Sequence, residues 1–265
     1  MSEKLHLATY LDQLQARGRI AFTGKEAISK LGVSKIAFNR SAQRLLKKKR
    51  LLHPARGFYL IVPVEAQLSG APDASWYIDD LMKFLEQPYY VGVLSAAGFH
   101  GAAHQAPQEF QVVTNSRLKP INVGRTKIHF LTKKWTERTA TETLKTKSGY
   151  IPISTPEATA LDLIQYVRSA GELNNVATVL IELAEKIDPK KLLTSAKICG
   201  ETAVAQRLGY LLDTFSKKRL TSELHKWVLE QRPAFVHTLI NLEINLNLSF
   251  WCVGSVWRIA SSHPI

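Results

Sequence analysis

Leu31-Gly32-Val33-Ser34-Lys35-Ile36-Ala37-Phe38-Asn39-Arg40-Ser41-Ala42-Gln43-Arg44-Leu45-Leu46-Lys47-Lys48 decides how the first part of this chain folds. Gly32 takes the positive φ that closes a helix, Val33 turns inward, and Ser34 supplies a side-chain oxygen to cap the next helix. A connection of three or four residues containing Gly is the mark of a helix-turn-helix. Stepping by 100° per residue puts Phe38, Ala42 and Leu45 on one face, flanked by Ser41 and Leu46. The opposite face collects Ile36, Arg40, Gln43, Arg44 and Lys47, with Asn39 at its margin. One side packs. The other offers long donors: Arg pairs bidentately with guanine, and Asn or Gln with adenine, in a major groove that admits one helix. Asn39, Arg40, Gln43 and Arg44 are therefore expected to face bases, and Ser34, Lys35, Lys47 and Lys48 to hold phosphates.

Upstream, Leu5, Leu7, Ala8, Leu11 and Leu14 recur at helical spacing and Gly18 ends the run. Ile20-Ala21-Phe22 reads as a short extended link, and Thr23 as the N-cap of a helix carrying Ala27, Ile28 and Leu31. Downstream, Lys47-Lys48-Lys49-Arg50 closes the polar helix with four cations, a phosphate clamp. Leu51-Leu52-His53 and Phe58-Tyr59-Leu60-Ile61-Val62 read as strands around Pro54-Ala55-Arg56-Gly57, a tight hairpin with Arg56 at its tip where a wing would sit. Residues 1–65 are thus expected to be a winged helix-turn-helix that binds double-stranded DNA, Arg56 adding a phosphate contact.

The charge distribution agrees. The net charge is +13, and residues 1–62 hold 13 Lys and Arg against three acids (Glu3, Asp12, Glu26), which accounts for ten of those charges. A basic segment joined to a nearly neutral one is the footprint of polyanion binding by the former. No apolar run approaches the roughly 18 residues of a transmembrane helix, and Met1-Ser2-Glu3-Lys4 opens an amphipathic pattern, not a signal peptide. Cys199 and Cys252, the two cysteines, stand far apart. That argues against a disulfide framework or a zinc site and fits a reducing cytoplasm.

Pro63 to Asp73, with Gly70 and Pro72, reads as a link to a second domain over 74–265. That domain begins with a helix from Trp76 to Leu85. Strand-like runs follow at Phe110–Thr114, Ile121–Val123, Thr126–Leu131 and Tyr150–Ile153, and after Thr155 the pattern is helical to about Arg232. Thr155-Pro156-Glu157 combines an N-cap, Pro at the first helical position and an acid in the first turn. Gly171, Asp188-Pro189, Gly200 and Lys217-Lys218 punctuate the helices. The class expected is α+β: the N-terminal winged helix-turn-helix, then a mixed α/β domain with a helical C-terminal part.

Chemistry is sparse in this half. His100 and His104 stand at i, i+4, but no third ligand has a telling spacing, so packing or hydrogen-bonding roles are expected. Gly92, Gly98 and Gly101 form neither a dinucleotide fingerprint nor a Walker loop. Asp162 lies within the apolar run Ala160–Ile164, where a charge needs a partner such as Arg168 or Arg207, with a site carboxylate as the sharper alternative. No paired carboxylates suit metal-dependent nucleotidyl transfer, so neither catalysis nor a cofactor nor a metal is expected. Lys127, Lys133, Lys134, Arg138, Lys145 and Lys147 read as scattered solvated cations, with extension of a DNA track as the sharper alternative.

Several stretches together resemble the AbiEi family of antitoxins from type IV toxin–antitoxin (abortive infection) systems. They are Gly32-Val33-Ser34 through Arg44-Leu45-Leu46, Leu51 through Pro63, Tyr89-Tyr90-Val91-Gly92-Val93-Leu94-Ser95-Ala96-Ala97 and Gly101-Ala102-Ala103-His104-Gln105. Ser154-Thr155-Pro156-Glu157-Ala158-Thr159-Ala160-Leu161-Asp162-Leu163 and Gln206-Arg207-Leu208-Gly209-Tyr210-Leu211-Leu212 complete the series. The resemblance runs from about Lys4 to Val228. It implies an N-terminal winged helix bound to inverted repeats in the protein's own promoter, repressing the operon. It further implies a C-terminal domain that counteracts a nucleotidyltransferase-like toxin, typically without a stable complex. From about Asn241 the chain departs from that pattern, and only Trp257-Arg258-Ile259 fits. Two other readings stay open: a ligand-responsive winged-helix regulator unconnected to a toxin, and an enzyme acting on a nucleotide or phosphoryl group. A deep apolar pocket would mark the first and clustered carboxylates the second.

Overall fold

The computed structural model describes residues 6–102, 109–215, 220–231, 236–238, 257 and 259–261. The chain packs into two compact units. One comprises residues 1–90, 108–136 and 143–152; the other comprises 91–107, 137–142 and 153–265.

The first unit opens with α1 (Leu7–Ala16), β1 (Ala21–Thr23), α2 (Gly24–Leu31), α3 (Lys35–Lys47), β2 (Leu51–Ala55) and β3 (Phe58–Ile61). The local rules read from the sequence hold here. Thr23 Oγ1 accepts from the Glu26 amide at 3.1 Å to start α2, and Gly32, at φ 61°, ends it. Ser34 Oγ accepts from the Ala37 amide at 3.2 Å to start α3. The three strands form one antiparallel sheet in the order β1-β3-β2, with Ala21 opposite Leu60 and Leu51 opposite Ile61. Between the Leu52–Leu60 and Ala55–Phe58 pairs, His53 and Pro54 face Tyr59 alone, a β-bulge. Proline has no amide to donate, so an edge strand interrupted by a bulge is where it fits.

A single core ties these pieces together. Leu7, Tyr10, Leu11 and Leu14 of α1 meet Phe22, Ala27, Leu51, Tyr59, Ile61 and the α3 residues Phe38, Ala42 and Leu45, with Ile28, Leu31, Val33 and Leu46 packed around them. Tyr59 is its pivot, stacked on Phe22 at 5.5 Å and met edge-on by Phe38 at 5.5 Å. Aromatic pairs in these geometries are worth about 0.5–1.5 kcal/mol each beyond the area they bury.

Residues 63–73 are folded, with a 3₁₀ turn at Val64–Ala66 and with Ala66, Ala71 and Pro72 buried. A methyl group on Gly124 would run into Ala71 and the Gly70 carbonyl, so the backbones approach too closely there for any other residue. α4 (Ile78–Phe84) is one turn shorter than the sequence pattern suggests, because Ala74–Trp76 forms a separate 3₁₀ turn. Then come β4 (Tyr89–Val91), α5 (Val93–Phe99), β5 (Glu109–Thr114), β6 (Ile121–Val123), β7 (Thr126–Thr132), β8 (Thr141–Lys145) and β9 (Tyr150–Ser154). The sheet order is β6-β7-β5-β4-β9-β8, with β5 parallel to β7 and β6 antiparallel to it.

The second unit is led by helices: α6 (Pro156–Gln165), α7 (Glu172–Leu183), α8 (Pro189–Cys199), α9 (Thr202–Phe215) and α10 (Ser222–Glu230). Helix α6 is buried from Glu157 to Ile164 and packs against α5, α7, α8 and α9. Thr155 caps it as the sequence indicates, but Glu157 does more than favour the helix dipole. Its buried carboxylate accepts from the Asp188 amide at 2.9 Å, where α8 begins. β10 (Val236–Thr238) and β11 (Ile259–Ser261) pair in parallel. The buried Trp257 donates its indole N–H to Asp213 at 2.8 Å, and Gln206 donates to the Trp257 carbonyl at 2.9 Å. Mixed α+β architecture is therefore observed. His104, Gln105, Lys217-Lys218, Cys252 and the tail run Asn241–Val253 lie outside the described residues.

Candidate nucleic-acid interface

α3 is built as a two-faced helix. Phe38 and Ala42 are 2 % exposed and Leu45 is buried, so this stripe is consumed by the core. The exposed side carries Lys35, Asn39, Arg40, Gln43, Arg44 and Lys47, with Ser34 and Lys48 exposed at its ends. Eight of the nine residues expected to contact DNA thus lie along one helix and its caps. The ninth, Arg56, is exposed at the first position of the Arg56-Gly57 turn closing the β2–β3 hairpin.

The electrostatics separate two kinds of cation. Arg19 grips Glu26 with both nitrogens, at 2.7 and 3.1 Å, and the Tyr10 hydroxyl donates to the same carboxylate at 3.2 Å. The Arg19 hydrogen bond holds the Glu26 carboxyl below the usual carboxylate range, against burial, which pushes the other way. Arg50 donates to Asp12 at 2.9 Å. That corrects one expectation: Arg50 is not the fourth member of a free clamp but ties the end of α3 back to α1. By contrast, Lys35, Arg40, Arg44, Lys47, Lys48 and Arg56 have no ion pair with any described residue. Glu26 and Asp12 are engaged by Arg19 and Arg50, which leaves the field of the exposed α3 cations for a polyanion.

The hairpin has a support that the sequence did not reveal. His53 Nε2 accepts from the Gly57 amide at 3.2 Å, and its ring stacks on Tyr59 with centroids 4.7 Å apart. The Gly57 carbonyl in turn accepts from the Gly24 amide at 2.8 Å, at the start of α2. The turn is thereby fixed to the helical core. The only sequence hint was a His four residues ahead of the turn glycine.

In the second unit His104 lies outside the described residues, and His100 has a specific hydrogen-bonding role. It is buried, its Nε2 lies 2.7 Å from the Ser154 carbonyl, its Nδ1 lies 3.7 Å from Glu142, and its own carbonyl accepts from Lys186. Asp162 is fully buried within α6. Among the described residues no group of three or more His, Cys, Asp or Glu is arranged to hold a metal ion. Of the basic residues singled out beyond the hairpin, Lys127 binds Glu109 at 2.5 Å, Lys133 donates to the Tyr90 hydroxyl at 3.2 Å, and Lys147 sits 4.3 Å above the Trp76 ring. No helix among the described residues is long and apolar enough to cross a membrane.

These features define a mixed α+β protein led by a basic three-helix module with a hairpin. Residues 90–214 match the family model of the AbiEi antitoxin C-terminal domain. The fold is similar to the crystal structure of the RV2827C protein from Mycobacterium tuberculosis, with a TM-score of 0.68 at 16% sequence identity, covering 96% of this chain and 90% of that one. At that identity the likeness is one of fold. No curated protein matches the chain.

Proposed function

We propose that residues 1–65 act as a winged helix-turn-helix that reads double-stranded DNA, and that the protein is the antitoxin of a type IV toxin–antitoxin system. It binds inverted repeats in its own promoter and represses its operon from the cytoplasm. Residues 74–265 form the antitoxin domain, which counteracts a nucleotidyltransferase-like toxin without a stable complex and without an enzymatic step of its own. The observation that carries the DNA-binding reading is the exposed polar row of α3. Its packing stripe is spent on the core, its cations pair with no acid among the described residues, and a tethered hairpin with a cation at its turn stands beside it in the chain. The AbiEi match over 90–214 supports the antitoxin role.

A gel-shift titration of the full chain against the DNA just upstream of its gene tests the first part. Tight, salt-sensitive binding to that fragment, lost in an Arg40→Ala/Arg44→Ala double variant, is the expected result; affinity no better than for random DNA refutes it. Co-expression with the neighbouring reading frame tests the second. Restored growth is expected, and persistent toxicity with soluble antitoxin present excludes the role.

A further inference from the structure

We propose that Ile36 is a specificity-determining residue whose side chain contacts the 5-methyl group of a thymine in the major groove. This rests on the DNA-reading role of α3. Ile36 is 67% exposed on a helix whose other apolar side chains of any size are packed. It belongs neither to the core cluster of this unit nor to the residues packed around that cluster, so it contributes nothing visible to stability. Its neighbours on the surface are Lys35 and, one turn on, Asn39 and Arg40, all exposed and all polar. A large β-branched hydrocarbon standing in that row is an uncompensated cost in water.

Its position in the helix gives the cost a use. Ile36 is the second residue of α3, directly after the Ser34 cap and Lys35. A helix lying in the major groove contacts base edges mainly through its N-terminal residues. The groove wall there is almost entirely hydrogen-bonding; its apolar feature is the thymine methyl, and apolar side chains are what recognise it. Arg40, Asn39 and Gln43 discriminate guanine and adenine by hydrogen bonds, and Ile36 adds the one base feature that those donors cannot read. Four residues at 1.5 Å rise separate Ile36 from Arg40 by ~6 Å along the helix, or about two base-pair steps. The thymine is therefore within about two base pairs of the base that Arg40 contacts.

The test uses the full chain and a duplex selected by it from a random pool, with each thymine replaced singly by deoxyuridine, which deletes only the methyl. For the wild type, one or two positions per half-site should each weaken binding about fourfold, the worth of one methyl removed from water. For Ile36→Ala, which is exposed and should fold normally, the same replacements should have no effect, while the preference at the Arg40 position is retained. If the duplex binds sequence-specifically but deoxyuridine penalises both proteins equally, the thymine contact is wrong and the DNA-reading role stands. If the wild type selects no sequence at all, both fall together.

Discussion

Along α3 the side chains divide by what each touches, and the division is measurable. Arg44, exposed and without an ion pair to any described residue, is placed to donate to a base edge. Arg44→Ala should cost about 1–3 kcal/mol of binding and relax the preference at one position. Lys47→Ala should instead weaken all sequences alike and flatten the salt dependence. Competition titrations against single-base variants distinguish the two patterns, and identical profiles for both variants would contradict this division of labour. Glu26 makes a separate, pH-dependent prediction. Its folded-state value is depressed by the Arg19 hydrogen bond, so its stabilising effect is complete above the ordinary carboxylate range and is lost as pH falls through the depressed value. Thermal melts of the wild type and Glu26→Gln should differ at neutral pH and converge in acid. A gap that persists at pH 2 would locate the effect of the substitution in packing.

At the scale of elements, the hairpin is braced by a local side-chain contact and helix α9 by contacts to a distant tryptophan. The His53 ring accepts from the Gly57 amide through Nε2. Removing it in His53→Ala should speed hydrogen exchange at Gly57 about 2- to 10-fold, matching the ~0.5–1.5 kcal/mol of an ordinary hydrogen bond. An unchanged rate would mean that the β2–β3 ladder alone holds the turn. On α9, Gly209 lies beneath the indole of Trp257, which is also held by Asp213 and Gln206. A methyl group at Gly209 would overlap that ring. Gly209→Ala should therefore destabilise the second unit by about 1–3 kcal/mol and alter tryptophan emission. Wild-type emission together with a wild-type melting temperature would show that the ring is not seated there.

Across the whole molecule the charge is the clearest organising feature. Ten of thirteen net positive charges fall within residues 1–62, and the acids there are engaged by Arg19 and Arg50 where they are described. Four cations assigned to phosphates, Lys35, Lys47, Lys48 and Arg56, should give a slope of log K against log salt of about −3 to −4 per chain bound. A slope near zero in a salt titration would remove the electrostatic basis of the DNA-binding proposal.

What the sequence alone determined is what local physics controls. Thr23 and Ser34 cap their helices, Gly32 closes α2, Phe38, Ala42 and Leu45 face inward, and Thr155-Pro156 starts α6, because caps, positive φ and helical period act over three or four residues. The row on α3 was legible for the same reason. The strand β8 was not, since Thr141-Glu142-Thr143-Leu144-Lys145 is mostly exposed and carries no apolar alternation. Nor were the roles of single polar groups whose partners lie far along the chain. Arg50 turned from a clamp residue to a partner of Asp12, and Glu157 reached the Asp188 amide. Tertiary structure decided these because a buried or half-buried polar group takes whichever partner packing brings within about 3 Å, and sequence spacing does not encode that distance.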